Sequence, residues 1–248
     1  MQSIFKMNPT IDYSLHLADS TLILAQRNAE WCGHGPILEQ DIAITNITLD
    51  LLGQSRNFYQ YAASLIGNGS TEDSLAYLRK EREFKNLLLC EQPNGDWGQT
   101  ILRQFFFSVY QQLLFEKLQS GNDEQLAAIA AKSLKEVNYH VRWSSEWVIR
   151  LGDGTEESHN RMLKAVDALW AYTGEMFVPA PYEQLINPAT LQQSWQQKVE
   201  TVLSEATLAI QGKTFMHVGG KDGKHTEQLG YILAELQYMQ RTYPDSEW

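Results

Sequence analysis

A carboxylate followed three residues later by a histidine puts both side chains on one helix face, where they can ligate the same metal ion. Scanning the 248-residue chain for that pair returns Glu156-x-x-His159 and Asp222-x-x-His225. Glu156 and His159 fall in the opening turn of a predicted helix, which suits a helix-start pair better than a ligand set. Asp222 and His225 fall in a glycine-rich stretch. Two other acids occupy the middle of long predicted helices but lack the imidazole. Asp50-Leu51-Leu52-Gly53 has glycine in the histidine slot, and Glu136-Val137-Asn138-Tyr139 has tyrosine, with His140 one place further on. One extra residue rotates a side chain about 100° around the helix, so Glu136 and His140 become an i, i+4 pair able to hydrogen-bond. If Asp50 and Glu136 face inward they need partners, for which Arg56, Arg103 and Arg142 are the candidates.

The elements that would position these groups are helical from end to end. Asn8-Pro9 reads as an N-cap with proline at the first helical position, and Ile11, Leu15, Ala18, Leu22 and Ala25 follow as one stripe. This predicts a helix over 9–29. Pro36 opens a second over 36–66, stopped by Gly67. Asp96, with Gln99 as its capping-box partner, opens a third over 96–120, and Asn122 a fourth over 122–151. Three more follow over 155–177, 188–210 and 226–243. Short turns make the first and second helices antiparallel neighbours, and likewise the third and fourth. The 28 residues of Asn68–Gly95 separate the two hairpins and hold a charged helical piece over 77–89. Two hairpins with one long crossover define an all-α, ferritin-like four-helix bundle with additional C-terminal helices, here expected as a single domain over 1–248.

Such bundles often carry a di-iron centre, with a Glu from each of two helices and a Glu-x-x-His from each of the other two. This chain falls short. Helix three runs Phe105 to Tyr110 through its middle and has no carboxylate until Glu116. Asp50 and Glu136, even with Asp19 or His140 added, do not reach the roughly four to six ligands that a di-iron site needs. The expectation is a bundle with no catalytic residue and no metal, in which Asp50, Gly53, Glu136 and Tyr139 are degenerate ligand positions.

Composition narrows the partners. Thirty acids against 20 Lys and Arg give a net charge of −10, which opposes binding to nucleic acid or an anionic membrane. Cys32 and Cys90 form no Cys-x-x-Cys pair. The first residues lack a signal-peptide core and no apolar run can span a bilayer, so a cytoplasmic protein is expected. Within this acidic chain, residues 213–225 are locally basic. Lys213, Lys221 and Lys224 on a glycine-rich loop are candidate contacts for a phosphate group. Aromatic residues, 11% of the chain with seven tryptophans, suit either an interface or the protein's own core.

Five strings carry a resemblance: Glu30-Trp31-Cys32-Gly33-His34-Gly35-Pro36, Leu49-Asp50-Leu51-Leu52-Gly53-Gln54-Ser55-Arg56-Asn57-Phe58, Asn86-Leu87-Leu88-Leu89-Cys90-Glu91-Gln92-Pro93-Asn94-Gly95, Lys135-Glu136-Val137-Asn138-Tyr139-His140 and His225-Thr226-Glu227-Gln228-Leu229-Gly230. Together they span nearly the whole chain, which resembles the C-subunit family of the bacterial ring 1,2-phenylacetyl-CoA epoxidases, among the phenylacetic acid degradation proteins. The resemblance implies a non-catalytic structural subunit of an NADPH-dependent multicomponent monooxygenase. It implies a ferritin-like catalytic partner that holds the di-iron centre and binds most of the phenylacetyl-CoA, a separate reductase that draws electrons from NADPH, and self-association within a larger complex. The loop lysines would then meet phosphates of the CoA thioester. The competing readings are an autonomous di-iron oxidase or iron-binding protein, and a free-standing small-molecule binder.

Overall fold

The computed structural model describes residues 8–210, 215–244 and 246. Every regular element among them is helical, and the architecture is a ferritin-like bundle. Its two hairpins are α1 (Pro9–Ala29) with α2 (Leu38–Ile66), and α5 (Trp97–Leu118) with α6 (Glu124–Gly152). Helices α2 and α6 also pack together along one side. On the other side α1 meets α5 through Asn28, whose amide donates to Gln104 at 2.7 Å.

Local chemistry sets the helix ends. The Asn8 side chain accepts from the Thr10 amide at 3.0 Å, and Pro9 follows with no amide proton to leave unsatisfied. Gly67 ends α2 at φ +69°, a left-handed backbone that suits glycine. Asp96 caps α5 by accepting from the Gln99 amide, but the Gln99 side chain donates to the Pro93 carbonyl instead of closing a capping box. The cap of α6 is Asp123, not Asn122, accepting from the Leu126 amide at 2.9 Å. Helix α2 begins two residues after Pro36, with Ile37 at its cap.

The larger corrections lie outside the four long helices. The connector's helical piece is not 77–89. It splits into α3 (Glu72–Tyr77), a 3₁₀ turn at Glu81–Glu83, and α4 (Leu88–Glu91). The predicted helix 155–177 ends early, as α7 (Glu156–Leu169), and continues as two 3₁₀ turns. Residues 188–191 are a 3₁₀ turn leading into α8 (Gln192–Glu205). The last helix is interrupted at Gln237 into α9 (Glu227–Leu236) and α10 (Tyr238–Thr242). There the buried Gln237 side chain donates to the Ala76 and Arg79 carbonyls at 3.0 Å each.

One hydrophobic core runs through these layers. Helices α7 and α8 cover the α5–α6 hairpin, while α4 and α9 lie against α1. Trp195 of α8 donates its indole N–H to the Phe106 carbonyl and packs among Phe106, Trp170 and Phe177. None of the six described tryptophans is exposed, so this protein's own packing takes most of their area. Among the described residues no helix is long and apolar enough to cross a membrane.

Candidate functional site

The predicted ligand positions lie along the α2–α6 seam, and they do not converge. Gly53 and Tyr139, the two slots that lack histidine, are both exposed. Asp50 and Glu136 are half-buried and each is committed to a different protein partner. His140 Nε2 meets Asp50 Oδ2 at 3.0 Å, with the imidazole buried and the carboxylate about one-third exposed. Glu136 does not pair with His140. Its Oε2 accepts from Gln54 Nε2 at 2.9 Å, and Gln54 Oε1 accepts from Gln111 Nε2 at 2.9 Å. The difference is rotational, because the 100° step turns His140 across the seam toward α2. The arginines considered as partners are engaged elsewhere. Arg56 reaches Glu72, Arg103 reaches the Gln92 carbonyl and Asn94, and Arg142 lies over the Tyr139 ring.

The bundle interior is packed with fully buried side chains such as Ile47, Leu51, Phe58 and Phe115. Between α1 and α5 it leaves a void of about 10 Å³, lined by His16, Ser20, Tyr110 and Gln111 among others. That holds one water at most. A two-metal centre with its ligands, or an aromatic ring, needs many times that space. Among the described residues no three His, Cys, Asp or Glu side chains come together as a metal site. The donors present, two separated carboxylates and one imidazole, do not fit a di-iron group.

Buried charge is concentrated elsewhere, around the middle of α1, where the connector and the C-terminal loop are fastened. Asp19 is fully buried. It accepts from Tyr59 Oη at 2.5 Å, from the Lys85 amide at 2.7 Å and from both terminal nitrogens of Arg79. Burial opposes the Arg79 charge, but the Asp19 carboxylate outweighs it and holds the guanidinium above its ordinary pKa. Burial, then the Asp19 charge, push Tyr59 up, so its hydroxyl stays a proton donor.

Two further fasteners sit beside it. Glu183 pairs with Lys221 Nζ at 2.8 Å, and that ammonium also donates to the Val178 carbonyl at 2.9 Å. Burial pushes Lys221 below its ordinary value, partly offset by Glu183. His16 donates Nδ1–H to the Lys85 carbonyl and lies 3.8 Å from Glu183. Its pKa is lowered by burial. On the other flank, Glu91 accepts from His225 Nδ1 at 2.9 Å and from the Thr226 amide at 2.6 Å, while His225 Nε2 faces the Phe84 carbonyl at 2.9 Å. Both ring nitrogens of His225 therefore face acceptors, an arrangement only the imidazolium satisfies. Burial works against that charge, and the hydrogen bond that His225 donates to Glu91, with the charge of that carboxylate, overcomes it, raising the pKa.

These contacts place the remaining predicted residues. His225 serves Glu91, while Asp222 is exposed. His159 bonds the Gly152 carbonyl at 2.7 Å. In the basic loop Lys221 is turned inward, Lys224 is exposed, and Lys213 lies outside the described residues. A phosphate contact through Lys221 would have to break the Glu183 pair, so Lys224 is the one of the two described lysines open to an anion. Sequence reasoning missed Glu175 altogether. It accepts from the amides of Leu88, Gly219 and Gly220 at 2.6–2.8 Å, and burial raises its pKa. A Cβ on Gly220 would lie 2.2 Å from the Asn86 carbonyl oxygen, so only glycine permits this approach.

The strings 86–95 and 225–230, which carry much of the resemblance, build one of these fasteners, the joint of Glu91 with His225 and Thr226. The comparisons with known proteins agree with it. The family model described as "Phenylacetic acid catabolic protein" matches residues 4–248. A protein of Escherichia coli (strain K12), the C subunit of a 1,2-phenylacetyl-CoA epoxidase, is 47% identical over 249 aligned positions, covering 98% of this chain and 100% of the relative. The chain belongs to the phenylacetic acid catabolic protein family.

Proposed function

We propose that this chain is the non-catalytic structural subunit of a multicomponent phenylacetyl-CoA 1,2-epoxidase. In this reading a separate subunit holds the di-iron centre and most of the CoA thioester, a reductase delivers electrons from NADPH, and the present chain stabilises the catalytic subunit and self-associates within the assembly. The observation that carries the proposal is the α2–α6 seam. Its two central acids are taken up by His140 and Gln54, and the bundle interior is packed with buried side chains. A bundle in that state offers a rigid surface and no reaction chamber. The full-length relationship to an epoxidase subunit supplies the enzyme.

Co-expression with the catalytic subunit tests this. The two chains are expected to co-purify, with iron in the partner alone, and addition of this chain is expected to restore the partner's turnover. Stoichiometric iron in this chain purified by itself would overturn the proposal in favour of an autonomous oxidase. Saturable binding of a small molecule without a partner would favour the binder, against which the packed interior argues. The loop has its own test. If Lys224 meets CoA phosphate, Lys224→Glu raises KM for phenylacetyl-CoA severalfold with kcat little changed; an unchanged KM removes the loop from the substrate site.

A further inference from the structure

The outer row of α6 is basic in an acidic chain. Lys132, Lys135, Tyr139, Arg142, Glu146 and Arg150 follow one another at spacings of three and four, and all six are exposed. At 100° per residue they fall within a strip about 80° wide, and at 1.5 Å per residue the strip runs about 27 Å. It holds four cations against one acid, while the whole chain carries −10.

A solvated helix face commonly settles such charges internally, by acids four residues from cations. Here that pairing does not form. Lys132 has Glu136 four places on, but Glu136 is bonded to Gln54. Glu146 stands four places from both Arg142 and Arg150, yet both guanidinium groups lie over aromatic rings instead. Arg142 is 5.7 Å from the Tyr139 centroid and Arg150 is 4.9 Å from that of Trp147. A cation–π contact holds a charged head in place without neutralising it. Among the described residues none of the four cations has a carboxylate partner. The helix therefore presents a straight row of uncompensated positive charge.

The chemistry of the row selects its partner. Four charges spread over that length outreach a single small anion, and the charge of the rest of the chain opposes nucleic acid. That leaves an acidic protein surface. Permanent interfaces are depleted of charge at their centres. Redox proteins that must dock and leave use small contacts, and complementary charge steers their encounter. A negatively charged redox protein would be repelled by most of this chain and drawn to α6, which would also set its orientation. We infer that the outer face of α6 is the docking surface for an acidic face of the reductase that supplies electrons to the assembly. The identity of that partner rests on the scaffold role proposed above; the row and its charge do not.

The test has two arms. Binding of the purified reductase to the full-length chain alone is followed by interferometry across a range of salt, and NADPH-driven turnover of the complex with the catalytic subunit is titrated with reductase. Wild type is expected to bind the reductase, more weakly as salt rises. The triple reversal Lys132→Glu, Lys135→Glu and Arg142→Glu is expected to lower affinity at least about thirtyfold and to raise the KM for reductase by a similar factor. The KM for phenylacetyl-CoA, kcat at saturating reductase and Tm are expected to stay as in wild type. Each single reversal is expected to cost roughly three- to fivefold. Lys164→Glu, at an exposed lysine of α7, makes the same change of net charge away from the row and is expected to leave binding nearly unchanged. A wild-type chain that does not bind the reductase, binding indifferent to salt or to the triple reversal, or an equal loss with Lys164→Glu overturns the inference. If the triple reversal loses a catalytic subunit that wild type retains, the row seats that subunit and the inference is likewise overturned. If wild type retains no catalytic subunit yet binds the reductase through these residues, the inference holds and the scaffold role falls.

Discussion

Two polar regions of this bundle have opposite characters. Along the α2–α6 seam, Asp50 and Glu136 are half-solvated, and each is satisfied mainly by a single neighbour. Around the middle of α1, Asp19, Glu91 and Glu175 are buried and each gathers at least three hydrogen bonds from segments distant in sequence, and buried Glu183 is held by the Lys221 ammonium and the Ala180 amide. An isolated buried charge is costly, and a fully satisfied one fixes a unique arrangement of chain. Where a bundle of this type could place its chemistry, the chain has weak pairs. Where loops must be held against a helix, it has dense ionic joints. The contrast shows that buried charge here specifies shape.

The largest effect that sharpens this contrast is expected at Asp19. Asp19→Ala removes a carboxylate that accepts from Tyr59, Lys85 and Arg79, and leaves the guanidinium of Arg79 buried without its counter-ion. Breaking a buried pair from one side costs about 3–5 kcal/mol. Urea unfolding is expected to show a loss of that size, a large fraction of a typical domain's stability. A loss below about 1 kcal/mol would place Asp19 in the same class as the seam and dissolve the distinction.

The frame of this contrast was legible in the sequence, and the joints were not. Caps at Asn8 and Asp96 and the stop at Gly67 act within a few residues, so the four long helices could be read to within two or three positions. The short segments after 155 and in the connector are shaped by distant partners. Gln237 interrupts the last helix because it serves carbonyls of residues 76 and 79. Lys221 reads as a loop lysine because Glu183 is 38 residues away. One signal was available. Asp19 falls on the apolar stripe of α1, between Leu15 and Leu22, and an acid on a buried face needs a cation. The sequence does not say which arginine supplies it. The seam misled in a different way. Spacing shows glycine and tyrosine in the i+3 slots, but the choice between Glu136 and Asp50 as the partner of His140 depends on how two helices face each other.

An intermediate effect, read through pH, separates the two histidines of the joints. His225 has a raised folded pKa, so its contribution is fully present below the ordinary value of 6.5 and is lost as pH rises through the folded value. His16 has a lowered folded pKa. The unfolded chain therefore takes up its proton first, and stability falls as pH drops below 6.5. Unfolding free energy across the neutral range is expected to decline on both sides, at up to about 1.4 kcal/mol per pH unit for each group while it titrates. His225→Gln should flatten the alkaline limb and leave the acid limb in place. An alkaline limb unchanged in His225→Gln would show that the Glu91 joint does not depend on the imidazolium.

The smallest effect is expected at the seam. In Asp50→Ala, His140 loses the acceptor of Nε2–H, but the lost carboxylate was about one-third exposed and water can reach the vacated position. His140 Nδ1 is already buried without a hydrogen-bond partner, so the ring tolerates imperfect pairing in the wild type. A partly solvated pair of this kind is worth about 0–1 kcal/mol. Chemical denaturation should place Asp50→Ala within that margin of wild type, and the variant should support undiminished turnover by the proposed catalytic partner. A loss of several kcal/mol would mean that the seam is a structural joint equal to those on α1. A loss of turnover with stability intact would be more consequential, because it would give Asp50 a part in the assembled enzyme that its position in the isolated bundle does not provide.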